Sequence, residues 1–120
     1  MRDLTVLPAP DPAPPLPAGL PAFLKLIADP NRLRILALLA RGERCVCDIE
    51  TPLGLPQNLT SHHLAVLKRA GLVRDRRDGK WVYYSLDAEA LDHHLGVLGV
   101  LLSTRDVRTP SRPCAEDENP

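Results

Sequence analysis

The chain has 120 residues, with 15 basic and 15 acidic side chains and a hydrophobic fraction of 44%. This length and composition support one domain with one core, and the zero net charge excludes a protein coated uniformly in basic residues. No stretch is apolar over the length of a membrane span, and the N-terminus lacks a signal-peptide pattern. We therefore expect a cytoplasmic protein without a membrane partner, whose cysteines stay reduced.

Proline marks the N-terminal segment. Seven of the first 21 residues are proline, a density that fixes φ and removes backbone donors. Residues 1–19 are therefore predicted to form a disordered arm, either passive or a proline-rich ligand for a partner. The polar residues 105–120, which include Cys114, predict a flexible tail. One folded domain is expected between them, over residues 20–104.

The domain begins with two predicted helices. Apolar positions from Phe23 to Ile27 predict a short amphipathic helix that ends at Asp29 and Pro30. Asp29 is suited to cap the next helix and Pro30 to open it. That second helix is apolar around much of its circumference and is stopped by Gly42. It is therefore expected at the centre of the core.

A helix-turn-helix is predicted next. A short helix over residues 47–53 is followed by Gly54 as a turn. Pro56 then opens a longer helix that runs to Ala70 and is closed by Gly71. Two helices joined by a short turn with glycine are typical of DNA-binding domains.

The C-terminal part predicts a hairpin and a last helix. Residues 72–74 and 81–86 are predicted strands, and Asp78 with Gly79 between them is a strong hairpin-turn signal. A lone hairpin is not stable, so it must pack on the helices as a wing. The helix after Asp87 is too apolar for a free surface, which predicts burial against a second subunit. The predicted fold class is mainly α with a small β-hairpin, a homodimeric winged helix-turn-helix.

The predicted helix over residues 56–70 has a polar outer face. At 100° per residue, amide, hydroxyl and imidazole groups occupy its N-terminal half and cations its C-terminal end, while His63 falls on the apolar side as a core histidine. This arrangement is typical of a helix that enters the major groove of DNA at its N-terminal end. The alternative interpretation is a charged surface that is only solvated. The predicted DNA-binding residues are Gln57, Asn58, Ser61, His62, Lys68 and Arg69 of the helix, with Arg76, Arg77 and Lys80 of the wing.

Cys45 and Cys47 are the clearest chemical feature. Cysteines separated by one residue point apart on a regular strand or helix, and converge only in an irregular segment or at a helix start. Their place just before the predicted third helix allows convergence, and a helix N-terminus favours the thiolate. Thiolates are soft ligands that select thiophilic ions. The spacing alone leaves open two ordinary buried cysteines.

Three segments resemble the ArsR/SmtB family of metal-sensing repressors. Residues 26–36 resemble the entry segment of that family, residues 60–73 its recognition helix and exit, and residues 79–86 its wing. The resemblance spans about residues 20–104. It implies a homodimeric winged-helix repressor that binds double-stranded operator DNA and leaves it on binding an inducer. The positions that match the family's DNA contacts are Gln57, Asn58, Ser61 and His62.

The segment from Glu43 to Ile49 resembles the family's arsenic-sensor motif, which relatives that sense cadmium or lead share. The third cysteine of that motif falls at Glu50, and Cys114 is the only thiol left to replace it. The predicted metal ligands are Cys45, Cys47 and Cys114, with an unrelated tail cysteine as the alternative for Cys114.

The resemblance implies arsenite or antimonite as the inducer and no organic cofactor. Cadmium or lead at the same cysteines is one alternative, and a thiol redox switch is another. An enzyme is not expected, because no βαβ pattern or cofactor glycine motif accompanies the thiols.

Overall fold

The computed structural model describes residues 12–105 and 107. Within that part the predicted winged helix-turn-helix is confirmed, and none of its helices is long and apolar enough to cross a membrane. Residues 1–11 of the predicted arm, and Cys114 with most of the predicted tail, lie outside the described residues. The elements in chain order are α1 (Leu20–Ile27), α2 (Pro30–Leu39), β1 (Arg44–Cys45), α3 (Val46–Leu53), α4 (Gln57–Arg69), β2 (Val73–Asp78), β3 (Trp81–Leu86) and α5 (Ala88–Leu101).

The break between α1 and α2 forms as the sequence predicts. The Asp29 side chain accepts hydrogen bonds from the backbone N–H groups of Asn31 at 2.9 Å and Arg32 at 3.1 Å, and Pro30 is the first residue of α2. The hydrogen bond from the Arg32 N–H holds the pKa of the Asp29 carboxyl below its usual range. The Arg32 side chain also donates from Nε to the Leu26 carbonyl at 2.8 Å, which fixes α2 against α1.

The core lies between α2 and the helix-turn-helix. Ile35 of α2, Ile49 of α3, and Leu64 and Leu67 of α4 are fully buried against one another. Full burial of one such side chain stabilises a fold by about 1.5–3 kcal/mol. These contacts hold α3 and α4 in place, so the outer face of α4 is presented by a rigid support.

The sheet differs from the predicted hairpin in two ways. Strand β2 runs over Val73–Asp78 rather than residues 72–74, because it pairs with β3 along its whole length up to Asp78↔Trp81. Strand β1 was not predicted, since two residues are too few to show the alternation of apolar and polar side chains that indicates a strand. It joins the hairpin antiparallel to β3, with Cys45 opposite Tyr83, and gives the strand order β1-β3-β2.

The helix-turn-helix boundaries each move by one residue. Helix α3 begins at Val46 with Cys45 as its N-cap residue, rather than at Cys47. Helix α4 begins at Gln57, because Pro56 is the extended N-cap residue (φ −67°, ψ 154°) and not the first helical one. Gly54 ends α3 at a φ of 63°, a conformation that favours glycine, and so turns the chain into α4.

Helix α5 is capped but not covered. The Asp87 carboxylate accepts from the Ala90 N–H at 3.0 Å, and His94 stacks on Phe23 of α1 with ring centroids 4.4 Å apart. None of its residues is buried within the described chain, and Leu95 and Val100 are 45% and 80% exposed. The predicted burial of this face against a second subunit stays a prediction.

Candidate DNA interface and thiol site

Helix α4 separates a buried face from a polar one. His63, Leu64 and Leu67 are buried together with Thr60, whose hydroxyl donates to the Pro56 carbonyl at 3.1 Å and so satisfies a polar group in the core. The helical projection of the sequence did not single out Thr60, although a threonine hydroxyl in a helix often donates to the carbonyl four residues earlier. The predicted DNA-binding residues of the helix are all exposed: Gln57, Asn58, Ser61, His62, Lys68 and Arg69.

His63 lies in the core, as the sequence predicts. It is 5% exposed, and burial lowers the pKa of its imidazole because the charged form loses solvation. Its Nδ1 atom has no hydrogen-bond partner among the described residues. Burial thus disfavours a positive charge on the underside of α4.

The cationic groups next to α4 take part in ion pairs. Lys68 Nζ lies 3.0 Å from Asp75 Oδ2. The Arg76 guanidinium donates twice to Glu43, at 2.7 and 2.9 Å, and stands 4.6 Å over the Tyr83 ring. These bonds hold the pKa of Glu43 below its usual range. Arg76 therefore connects the wing to the loop before Cys45, a contact that the sequence did not predict.

The two thiols meet at the start of α3. Cys45 Sγ and Cys47 Sγ are 2.9 Å apart, and Cys45 Sγ lies 3.2 Å from the Asp48 carboxylate. Cys45 is buried and Cys47 exposed, so the cluster opens on one side to solvent. The ligand atoms of all three residues lie within 4.8 Å of one another. Two soft donors and one oxygen fit a thiophilic ion.

Two expectations about this cluster need correction. The helix N-terminus does not make Cys45 a ready thiolate: its pKa is raised, first by the hydrogen bond with the Cys47 thiol and further by the Asp48 carboxylate. The Asp48 N–H at the helix start lowers this pKa, but the Cys47 hydrogen bond, burial and the Asp48 carboxylate together outweigh it. Asp48 itself was not predicted to join the site, although a residue three positions after Cys45 on a helix start shares its side.

A cavity of about 310 Å³ adjoins the thiols. It extends from the cysteine cluster to the first residue of α4 and to the beginning of β3. The residues that line it include Cys45, Cys47, Gln57, Lys80, Trp81 and Val82. The structure thus brings two predicted DNA-binding residues, one on the helix and one on the wing, to the predicted ligand site. Arg77 and Arg69 are exposed away from this cavity lining.

A helix-turn-helix with an exposed polar face, a β-wing beside it and a thiol cluster before it define a class, the winged-helix transcriptional regulators. Residues 29–75 match the family model described as "Bacterial regulatory protein, arsR family". The chain belongs to the ArsR family.

Relatives of known name share this part of the chain. It is 49% identical to the arsenic resistance transcriptional regulator ArsR1 of Pseudomonas putida, over 58% of this chain and 55% of that protein. It is 48% identical to the cadmium resistance transcriptional regulatory protein CadC of Listeria innocua, over 52% of this chain and 53% of that protein. A solved structure, a possible transcriptional regulator for arsenical resistance, shares 35% identity and a TM-score of 0.60, over 64% of this chain and 80% of that one. The match thus spans about half the length of the two curated relatives, and all three are named as regulators.

Proposed function

We propose that this protein is a homodimeric repressor that binds double-stranded operator DNA when free of inducer and leaves it when Cys45 and Cys47 capture arsenite or antimonite. The observation that carries the proposal is the convergence of the two thiols, 2.9 Å apart, at the start of the helix that precedes α4. Residues 20–104 form the functional domain, flanked by the arm at 1–19 and the tail at 105–120.

DNA recognition is assigned to the exposed face of α4 and to the wing. Gln57 and Asn58 present amides that can pair with adenine, and Ser61 and His62 reach base edges or phosphates. The cations at the end of α4 and on the wing contact phosphates and position the helix without reading sequence. The exposure of all these groups on one rigidly supported helix and its adjoining wing supports this assignment.

Dimerisation is assigned to α5. Its exposed leucine and valine side chains, together with Gly96 and Gly99, offer an apolar surface that a second copy can approach closely. Two copies related by a twofold axis would present two α4 helices to a twofold-symmetric operator.

The ligand set consists of Cys45 and Cys47, with Cys114 of either subunit as the third thiolate for arsenite. The Asp48 carboxylate, 3.2 Å from Cys45 Sγ, supports the alternative of cadmium or lead, because an oxygen beside two thiols suits a borderline ion better than an ion that selects thiolates alone.

Coupling between ligand and DNA runs through both neighbours of the cluster. Cys45 pairs with Tyr83 of the wing strand β3, while α3, which carries Cys47, packs on α4. A ligand that fixes the two thiols therefore acts on the wing and on α4 at once. If it favours a geometry that does not fit DNA, the DNA affinity falls by the coupling free energy, typically about 1–3 kcal/mol.

Fluorescence anisotropy on labelled promoter DNA tests the proposal. Arsenite, cadmium, lead and zinc are titrated in turn into the reduced full-length protein bound to DNA. The wild type should be released by arsenite, whereas Cys47→Ser should bind DNA normally and resist release. Release of Cys114→Ser by arsenite would confine the ligand set to Cys45 and Cys47. If Cys47→Ser loses DNA binding, or if no ion releases the wild type, the proposal is wrong.

A thiol redox switch is the second candidate, favoured by the short distance between the two sulfur atoms. In that case an oxidant such as hydrogen peroxide joins Cys45 and Cys47 in a disulfide and releases DNA without any metal. Release by peroxide in the presence of a chelator, reversed by dithiothreitol, would support it. If arsenite releases the protein from DNA and peroxide does not, the redox switch is excluded.

A further inference from the structure

The cavity beside the thiols is larger than an inorganic ion requires. An ion held by Cys45, Cys47 and Asp48 occupies a cluster whose ligand atoms span 4.8 Å, whereas the adjoining space measures about 310 Å³. An apolar cavity of about 150 Å³ is already large enough to hold a benzene molecule. The space next to the cysteines is therefore large enough for an organic group.

The walls of the cavity suit an aromatic group. Trp81 and Val82 of β3 and Val46 of α3 provide an indole and two aliphatic side chains. The indole is 49% exposed, and Lys80 Nζ stands 5.4 Å from its ring centroid. An aryl ring placed against Trp81 would gain both apolar burial and an aromatic contact.

We propose that this cavity is a subsite for the organic substituent of a trivalent aryl arsenical, held by Cys45 and Cys47. The inference deepens the proposed function and rests on it. Trivalent arsenic with one carbon substituent has two positions left for thiolates, and the structure brings two thiols together at the mouth of the cavity. Such a ligand needs no third cysteine, and Glu50, at the position of the motif's third thiol, lines the cavity without being needed as a ligand.

The reaction is a ligand exchange without oxidation or reduction. An arsonous acid, R–As(OH)₂, reacts with the two thiols to give R–As(S-Cys)₂. Two As–O bonds break and two As–S bonds form, and each hydroxide leaves as water with one thiol proton. The arsenic–carbon bond is kept, so the substituent R stays attached and enters the cavity.

The substituent would then contact residues assigned to DNA. Gln57, the first residue of α4, and Lys80, in the turn before β3, both line the cavity. An aryl ring between them competes directly with the positions that these side chains take up on DNA. An aryl arsenical should therefore release DNA at lower concentration than arsenite.

The test uses Cys114→Ser, in which Cys45 and Cys47 are the only remaining thiols of the sequence. Phenylarsonous acid and arsenite are titrated separately, and binding is followed through the fluorescence of Trp81, the only tryptophan. We expect one equivalent of phenylarsonous acid to bind about 10-fold more tightly than arsenite, from ring burial against the indole. Mass spectrometry should show the adduct with the loss of two waters.

Substitutions at Trp81 separate the subsite from the thiols. Binding of the Trp81 variants is followed by release of labelled DNA and by adduct mass. Trp81→Ala should weaken phenylarsonous acid about 10-fold and leave arsenite within about 2-fold, whereas Trp81→Phe, the matched control, should retain most of the preference. If phenylarsonous acid binds Cys114→Ser no better than arsenite, or if Trp81→Ala weakens both ligands equally, the subsite is refuted.

The subsite and the proposed function fail in distinguishable ways. If arsenite releases the wild type and phenylarsonous acid binds without preference, the subsite is wrong and the sensor stands. If phenylarsonous acid binds through Trp81 and releases DNA while arsenite does not, the subsite is supported and the inorganic inducer is wrong. If neither ligand binds to the reduced protein, both ideas are refuted.

Discussion

Helices α4 and α5 have nearly equal lengths, 13 and 14 residues, but they bury their apolar residues differently. Helix α4 places His63, Leu64 and Leu67 in the core of its own chain. Helix α5 buries none of its residues within the described chain and leaves Leu95 and Val100 exposed. The contrast indicates that α4 uses its apolar residues within its own core, whereas α5 packs only part of its apolar surface against that core and leaves the rest exposed.

The largest effect should come from the buried face of α4. Leu64→Ala leaves a cavity among fully buried neighbours, so we expect the free energy of unfolding to fall by about 2–5 kcal/mol. Urea denaturation followed by circular dichroism, at fixed protein concentration, measures this loss. Ala65→Ser, on the exposed side of the same helix, should change stability by less than about 0.5 kcal/mol. Equal losses in both variants would mean that the two faces are not distinct.

The next effect concerns α5. Leu95→Glu puts a charge into the surface assigned to the dimer, and we expect the dimer dissociation constant to rise about 30-fold or more, as for loss of an interface hot spot. Sedimentation equilibrium over a range of concentrations measures it. Glu89→Gln, exposed in the first turn of α5, serves as the control and should leave the dissociation constant unchanged. A wild-type protein that sediments as a monomer would remove the basis of the comparison.

The outer face of α4 should affect affinity and specificity without affecting the fold. Gln57→Ala should weaken operator binding by about 1–3 kcal/mol and relax the preference for one base pair. Arg77→Ala on the wing should weaken binding to all sequences alike and make the slope of log K against log salt shallower by about 0.9. Anisotropy titrations on operator and scrambled DNA at several salt concentrations distinguish the two. Identical behaviour of both variants would contradict the division between base reading and phosphate contact.

The smallest effect is the acid sensitivity of the α5 cap. The Ala90 N–H and the Arg74 guanidinium hold the pKa of Asp87 below its ordinary value of 3.8. Because the folded pKa is the lower one, Asp87 contributes its full stabilisation above the unfolded pKa and loses it as the pH falls through the folded pKa. Thermal unfolding at about pH 6 and about pH 3 should therefore show a smaller acid-induced drop for Asp87→Asn than for the wild type. Asp92→Asn, exposed on the same helix, should keep the wild-type drop.

The sequence predicted the helices and the wing because each has a strong local signal. Asp29 with Pro30 marks a helix start that the structure confirms. Asp78 with Gly79 predicted the hairpin, although its turn consists of Gly79 and Lys80, and Asp78 is the last residue of β2. The two-residue strand β1 has no such signal, since it exists only because β3 offers an open edge. The bond between Arg76 and Glu43 joins residues 33 positions apart and depends on the folded sheet. The cavity at Trp81 likewise arises from four elements, β1, α3, α4 and β3, that only the fold brings together.

The thiol site could be predicted in part, because it also has a local sequence signal. The spacing of Cys45 and Cys47, and their place before a helix, predicted that they could converge. The pKa of Cys45 could not be read in this way, because it depends on how the Cys47 thiol and the Asp48 carboxylate are turned toward it. A helix N-terminus generally favours the thiolate, whereas the groups in hydrogen-bond contact with a thiol decide whether its pKa is raised or lowered.

Strand β1 also bears on how the proposed ligand site could be redesigned. The ladder that joins Arg44 and Cys45 to β3 uses backbone groups, so it does not depend on which side chains stand at these positions. An exchange of the side chain at position 45 therefore keeps this backbone ladder, but the new side chain must fit a buried position. The pairing of the wing and the proposed ligand site thus meet at one residue but use different groups, the backbone and the side chain. A library of side chains at positions 45 and 47 is the natural starting point for a biosensor with a new analyte.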